Sequence, residues 1–115
     1  MKLSPMRSSG IFGLARGQIA RINAVHIGDA RIKPIEVTTE FVNASGVELD
    51  REIKTVSPGQ AIYFDFEFNT SLEGNRQQLR ALIGAKGPAS PDQHLKISIE
   101  VFDGDTGKNA AYIVL

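Results

Sequence analysis

The run Ala61-Ile62-Tyr63-Phe64-Asp65-Phe66-Glu67-Phe68 constrains the fold of this chain more than any other segment. Read with a period of two, Ile62, Phe64, Phe66 and Phe68 share one face, while Tyr63, Asp65 and Glu67 take the other. That is the pattern of a β-strand with one buried side. Each phenylalanine carries a large apolar area that is stable only out of water, so three of them at this spacing demand a second layer facing the strand. A helix, at about 3.6 residues per turn, would scatter the same rings around its axis.

The alternation recurs along the chain. In 35–43, Ile35, Val37, Thr39 and Phe41 oppose Glu36, Thr38 and Glu40. In 47–55, Val47, Leu49 and Ile53 alternate with Glu48, Asp50, Glu52 and Lys54. Asn43-Ala44-Ser45-Gly46, rich in turn formers, makes a hairpin of these two runs. Ser57-Pro58-Gly59-Gln60 has type II turn chemistry, with proline presetting φ and glycine accepting a positive φ after it. Leu95, Ile97, Ile99 and Val101 alternate with His94, Lys96, Ser98 and Glu100, and Asp103-Gly104-Asp105-Thr106-Gly107 turns the chain into a last run, 110–115. Stretch 19–27 is apolar on both faces, which suits a central or bulged strand.

Segment 75–87 reads two ways. Asn75 would cap a short helix with Leu79, Leu82 and Ile83 at i, i+3 and i+4. As a strand, Leu79, Ala81 and Ile83 line one face, and Arg76, Gln78 and Arg80 the other. Its neighbours are strands that need a return to close a sheet, so strand is the reading adopted. These runs, with turn signals roughly every 10–15 residues, predict an all-β fold, an antiparallel two-layer β-sandwich of about seven strands. Residues 1–10 are expected as a flexible tail, 11–115 as one domain, and 84–93 as the longest loop.

Composition narrows the function. The 115 residues suffice for one packed core. Thirteen Lys+Arg balance thirteen Asp+Glu, which is not the net basic surface of a dedicated nucleic-acid binder. The absence of cysteine excludes disulfides, thiolate metal sites and cysteine nucleophiles, and two histidines exclude a multi-histidine site. No run approaches the roughly 18 apolar residues of a spanning helix, and the first ten residues lack a signal-peptide core. The expectation is a cytoplasmic chain if Met1 is its native start, and an exported one if the sequence is a mature fragment. Charge is uneven. Residues 1–35 hold six basic side chains against Asp29, and residues 36–67 hold seven acids against Arg51 and Lys54. Either oppositely charged strands face each other in a sheet, or a two-signed surface guides docking.

Gly17-Gln18-Ile19-Ala20-Arg21-Ile22-Asn23 opens a strand, Pro58-Gly59-Gln60 precedes the phenylalanine strand, and Ile99-Glu100-Val101-Phe102-Asp103 runs toward Thr106-Gly107. On these pieces, the layout from 17 to 107 resembles immunoglobulin-like or fibronectin-III-like sandwiches, especially small bacterial domains of unknown function. The chain departs from true immunoglobulin domains in having no cysteine pair, no tryptophan and no tyrosine corner. The resemblance implies an immunoglobulin-like fold and carries no catalytic or binding residue with it.

Asp103 and Asp105 are the metal candidates, since alternate acids in a turn can offer hard oxygens to Ca²⁺. An EF-hand would need a glutamate where Val114 stands, and the competing reading is a hairpin turn whose aspartates bond backbone amides. His26 and His94 lack a serine or aspartate companion; His94 reads as solvated on its strand and His26 as a strand-boundary residue. Asp65 and Glu67, roughly 7 Å apart along one strand face, lack a cleft. Tyr63 and Phe102 are the candidate binding surface, a platform for a sugar or a protein, unless Phe102 is buried beneath a loop. No glycine-rich phosphate loop is present. The reading that follows is a non-catalytic module for protein interaction, assembly or scaffolding, with no cofactor. It would act through end loops or a strand edge, 11–15 or 110–115, and the partner could be a second copy. The alternative is a carbohydrate-binding or other small-ligand module. An enzyme, the third option, would need a polar cleft around His26 or His94.

Overall fold

The computed structural model describes residues 7–68, 76–87 and 91–115. Among these residues nine strands form: β1 (Arg7–Ser8), β2 (Phe12–Ala15), β3 (Gln18–His26), β4 (Ile35–Asn43), β5 (Glu48–Val56), β6 (Ala61–Glu67), β7 (Arg76–Lys86), β8 (Leu95–Asp103) and β9 (Asn109–Val114). A single 3-10 turn, Pro91–His94, precedes β8. Every pairing is antiparallel. One sheet runs β7-β4-β5, with β1 and β2 sharing the outer side of β7; the other runs β6-β3-β8-β9. The expected two-layer all-β sandwich is what forms, with nine strands where about seven were expected. Among the described residues, no helix is long and apolar enough to cross a membrane.

Arg7 and Ser8, inside the stretch expected as a tail, pair with Ile83 and Leu82. Ser9 anchors them: its N–H donates to Ala81 O at 2.9 Å, and its hydroxyl accepts the Ala81 N–H at 2.8 Å. Residues 1–6 of that tail lie outside the described residues. Of segment 75–87, Asn75 lies outside the described residues and Arg76–Lys86 is a strand, with Leu79, Ala81 and Ile83 fully buried. Pairing to β4 on one side and to β1 and β2 on the other overrides its helical propensity. Because Val37↔Ala85 and Glu36↔Lys86 prolong that pairing, the expected loop at 84–93 shortens to 87–94, of which 88–90 lie outside the described residues.

The core lies between the sheets. Phe64 and Phe68 are buried, and Phe66 is half-buried with its ring 5.3 Å from that of Phe41 on the facing sheet. β3 is central, as its two-sided apolar pattern implied. Ala20 stands in register between Phe66 and Val101, and Ala24 between Ile62 and Ile97. These small residues leave room for the large ones beside them. At the β5–β6 corner Gly59 takes φ +81° and Gln60 N–H bonds Ser57 O at 3.0 Å, the expected turn.

β5 departs from its predicted faces. Val56 is fully buried opposite Ile35, and that register turns Lys54 and Glu52 inward and Ile53 outward, where it is 55% exposed. A register shift between Phe41 and Val42 makes Leu49 the extra residue of a bulge, so it packs toward the core while Val47 stays exposed. The inward charges are tolerable because β5 is an edge strand. The Lys54 ammonium reaches the Tyr63 carbonyl on β6 and lies 4.9 Å from the Phe64 ring centroid.

Candidate interaction surface

Tyr63 and Phe102 point outward from the four-stranded sheet, on β6 and β8, separated by β3. Arg21 on β3 joins them. Its guanidinium carbon lies 4.0 Å from the Tyr63 ring centroid and 5.0 Å from that of Phe102, both within cation–π reach. The same guanidinium grips Asp65 through two bonds, Nε to Oδ1 at 2.7 Å and Nη2 to Oδ2 at 2.8 Å. That pairing raises the Arg21 pKa above its ordinary value. Phe102 is half-buried beside this arginine. Asp65 is committed to Arg21 and forms no carboxylate pair with Glu67. Arg21 opposite Asp65 is one way the basic first third and the acidic middle of the chain meet in a sheet.

In register across this face run Asp65, Arg21, Glu100 and Tyr112; the adjacent row is Tyr63, Asn23, Ser98 and Val114. Tyr63 is 52% exposed and Tyr112 62%. The Tyr112 ring was missed as a site candidate because its run was read only as an edge.

The metal candidates form a turn. Asp103 Oδ1 accepts the N–H of Asp105 at 2.8 Å and of Thr106 at 2.9 Å, and these bonds, that from Thr106 foremost, lower the Asp103 pKa. Gly107, at φ +74°, closes the turn by donating to Asp103 O. Asp105 is exposed. Among the described residues no three His, Asp or Glu side chains converge.

The histidines meet, which no local motif signalled. His26 is fully buried at the end of β3, and His94 is half-buried in the 3-10 turn, not on its strand as expected; their rings stack with centroids 6.2 Å apart. His26 Nδ1 accepts the Gly28 N–H at 3.1 Å, so Nε2 carries the proton toward Lys33 O at 3.0 Å. Both ring nitrogens are spent tying β3 to the following loop. A Cβ on Gly28 would sit 2.7 Å from His26 Cε1, so the ring sets the path of that loop.

The edges of the two sheets differ in how they are guarded. β5 carries Glu48, Asp50, Arg51, Glu52 and Lys54. β6 carries Asp65 and Glu67 and has its Tyr63 carbonyl capped by Lys54. β2 is four residues long, and β1 spans two of the described residues. Charge and brevity are the usual defences of an edge. β9, Asn-Ala-Ala-Tyr-Ile-Val, is six residues with no charge and no proline; a bulge at Ala110 breaks its ladder near the start, Ala111 to Val114 run regularly beyond it, and Val114 is 73% exposed. Leu115 N–H donates to Ile97 O at 3.0 Å, so, in alternation, Ile113 and Ala111 bond β8 while Tyr112 and Val114 turn their amides and carbonyls outward.

No family model, curated protein or solved structure matches the chain. Its chemistry is read from this surface alone. The 11–15 and 110–115 runs, expected at edges, do form edges, one in each sheet. Arg7 ties the two sheets together beside them, its Nη1 donating to Leu115 O at 2.7 Å.

Proposed function

We propose that this chain is a non-catalytic interaction and assembly module of immunoglobulin-like type, which receives a partner strand along β9. The observation that carries the reading is the unguarded edge: outward backbone groups at Tyr112 and Val114 on a strand without charge or proline. The non-catalytic part is supported by His26, whose ring nitrogens are both engaged with backbone. The immunoglobulin-like part is supported by two antiparallel sheets of alternating strands packed on one apolar core.

The test is titration of the isotope-labelled chain, at low concentration, with a lysine-flanked peptide carrying residues 109–115. Amide shifts are expected at Tyr112 and Val114 and their β8 neighbours, and are expected to vanish in Tyr112→Pro. Proline is compatible with an edge whose N–H faces solvent, so this variant removes an outward donor and no β8–β9 bond. Shifts centred elsewhere, or unaltered by the proline, would refute strand addition at β9.

The second reading, a carbohydrate platform, has its own observation: Tyr63 and Tyr112 exposed on one sheet face, with Arg21, Asn23 and Glu100 between them. It requires polysaccharide pull-down that is lost in Tyr63→Ala.

A further inference from the structure

We infer that the strand β9 receives is β9 of a second copy, paired antiparallel about a two-fold axis at Tyr112, so that two four-stranded sheets become one of eight. The inference rests on the strand-addition reading and adds the partner and the register.

Three features of β9 fit it to itself. The first is the direction of its free groups. Tyr112 and Val114 face outward in the same alternation, so a Tyr112–Tyr112 pair would be of the hydrogen-bonded kind, each copy's N–H meeting the other's carbonyl. The second is side-chain size. With Tyr112 on the axis, Ala111 of each copy lies opposite Ile113 of the other on the inner face, while Ala110, the extra residue of a bulge against β8, ends the regular ladder. Small thus meets large on both sides of the axis. A register centred one residue earlier would place Ala111 against itself and draw Lys108 alongside Val114. The third is charge. Asn109 to Leu115 carries no charged side chain, so two copies meet without the like-charge repulsion that two β5 or two β6 edges would incur. The half-buried Ile113 already packs against the core of its own copy, and a second strand would cover its exposed part. Symmetric self-pairing of one patch is also the commonest closed association.

The chain has no cysteine, which makes the test clean. Cα atoms in a hydrogen-bonded antiparallel pair lie about 5.5 Å apart, within disulfide range. Oxidised Tyr112→Cys is expected to run as a covalent dimer, while Thr55→Cys, exposed on the β5 edge, is expected to stay monomeric. Sedimentation of the wild-type chain should show a reversible, concentration-dependent dimer. Tyr112→Pro, which deletes both bonds on the axis, should raise its dissociation constant about thirtyfold. A dimer that Tyr112→Cys does not trap, or that Tyr112→Pro does not weaken, overturns the inference by placing the interface elsewhere. A chain that remains monomeric while still binding the 109–115 peptide overturns self-pairing and leaves strand addition standing. Loss of both removes the two readings together.

Discussion

Glu40 is a buried carboxyl whose effect on stability is open to direct measurement. It is buried on the outer face of the five-stranded sheet, 3.4 Å from Arg51 Nη1. Burial, and then the neighbouring Glu48 carboxylate, push its pKa above the ordinary value, and Arg51 only partly opposes them. A carboxyl with a raised folded-state pKa binds its proton more tightly folded than unfolded. It therefore costs stability once pH rises through the folded pKa, and that cost disappears below the unfolded pKa. Glu40→Gln keeps the shape and removes the charge. It is expected to stabilise the protein by roughly 1 kcal/mol at neutral pH and to leave it nearly unchanged at pH 3, as read from urea melts at the two values. A variant less stable at neutral pH would mean that the Arg51 pairing outweighs the burial. The sequence displayed this residue only as one of the outward acids of its run, because alternation reports which face a side chain takes and not what covers that face. The same limit hid the Arg21 bridge. The outward directions of Tyr63 and Phe102 were legible from alternation, but the cation between them depended on which strand lies between β6 and β8.

Among the elements, β6 shows how far periodicity reaches. Its face was legible because phenylalanine at every second position leaves one solution. The depth of each ring was not, since it depends on the opposing layer. Phe64 is buried to the limit, whereas Phe66 sits toward the rim against Phe41. Phe64→Ala is expected to cost about 3–5 kcal/mol, and Phe66→Ala roughly half as much, because part of its transfer out of water was never gained. Equal losses in chemical denaturation would mean that Phe66 belongs to the deep core. β5 shows the opposite limit. Val47, Leu49 and Ile53 keep parity in the sequence, yet the bulge at Leu49 and the burial of Val56 put two of the three outside. One extra residue inverts every later assignment on a strand, and no turn signal marks where it falls. β7 went the other way: its helical propensity was real but weak beside ladders on both sides.

For the whole molecule, the layer architecture followed from the pattern, while the order of strands within each layer did not, because alternation carries no record of neighbours. That order makes β9 an edge, and it also separates two roles that β9 could fill. As a structural member it bonds β8 along 98–102, places Ile113 and Leu115 against the core, and gives Arg7 its Leu115 carbonyl. As an assembly edge it offers only what faces away from β8. The two roles predict different outcomes for two changes to the same strand. Removing 109–115 deletes about four or five backbone bonds and two half-buried apolar side chains, for an expected loss on the order of 3 kcal/mol once the freed chain entropy is credited. It also bares β8, whose Ile97, Ile99 and Val101 make it a new apolar edge, so the truncated chain should be both less stable and prone to aggregate. Tyr112→Pro touches only outward groups, so its unfolding free energy in urea should stay within about 1 kcal/mol of wild type while its association weakens. If the proline variant unfolds as readily as the truncation, Tyr112 bonds inward to β8 and the edge is not free. If instead the truncation melts like the full chain, β9 contributes nothing to the sandwich, and its apolar character is owed to docking alone.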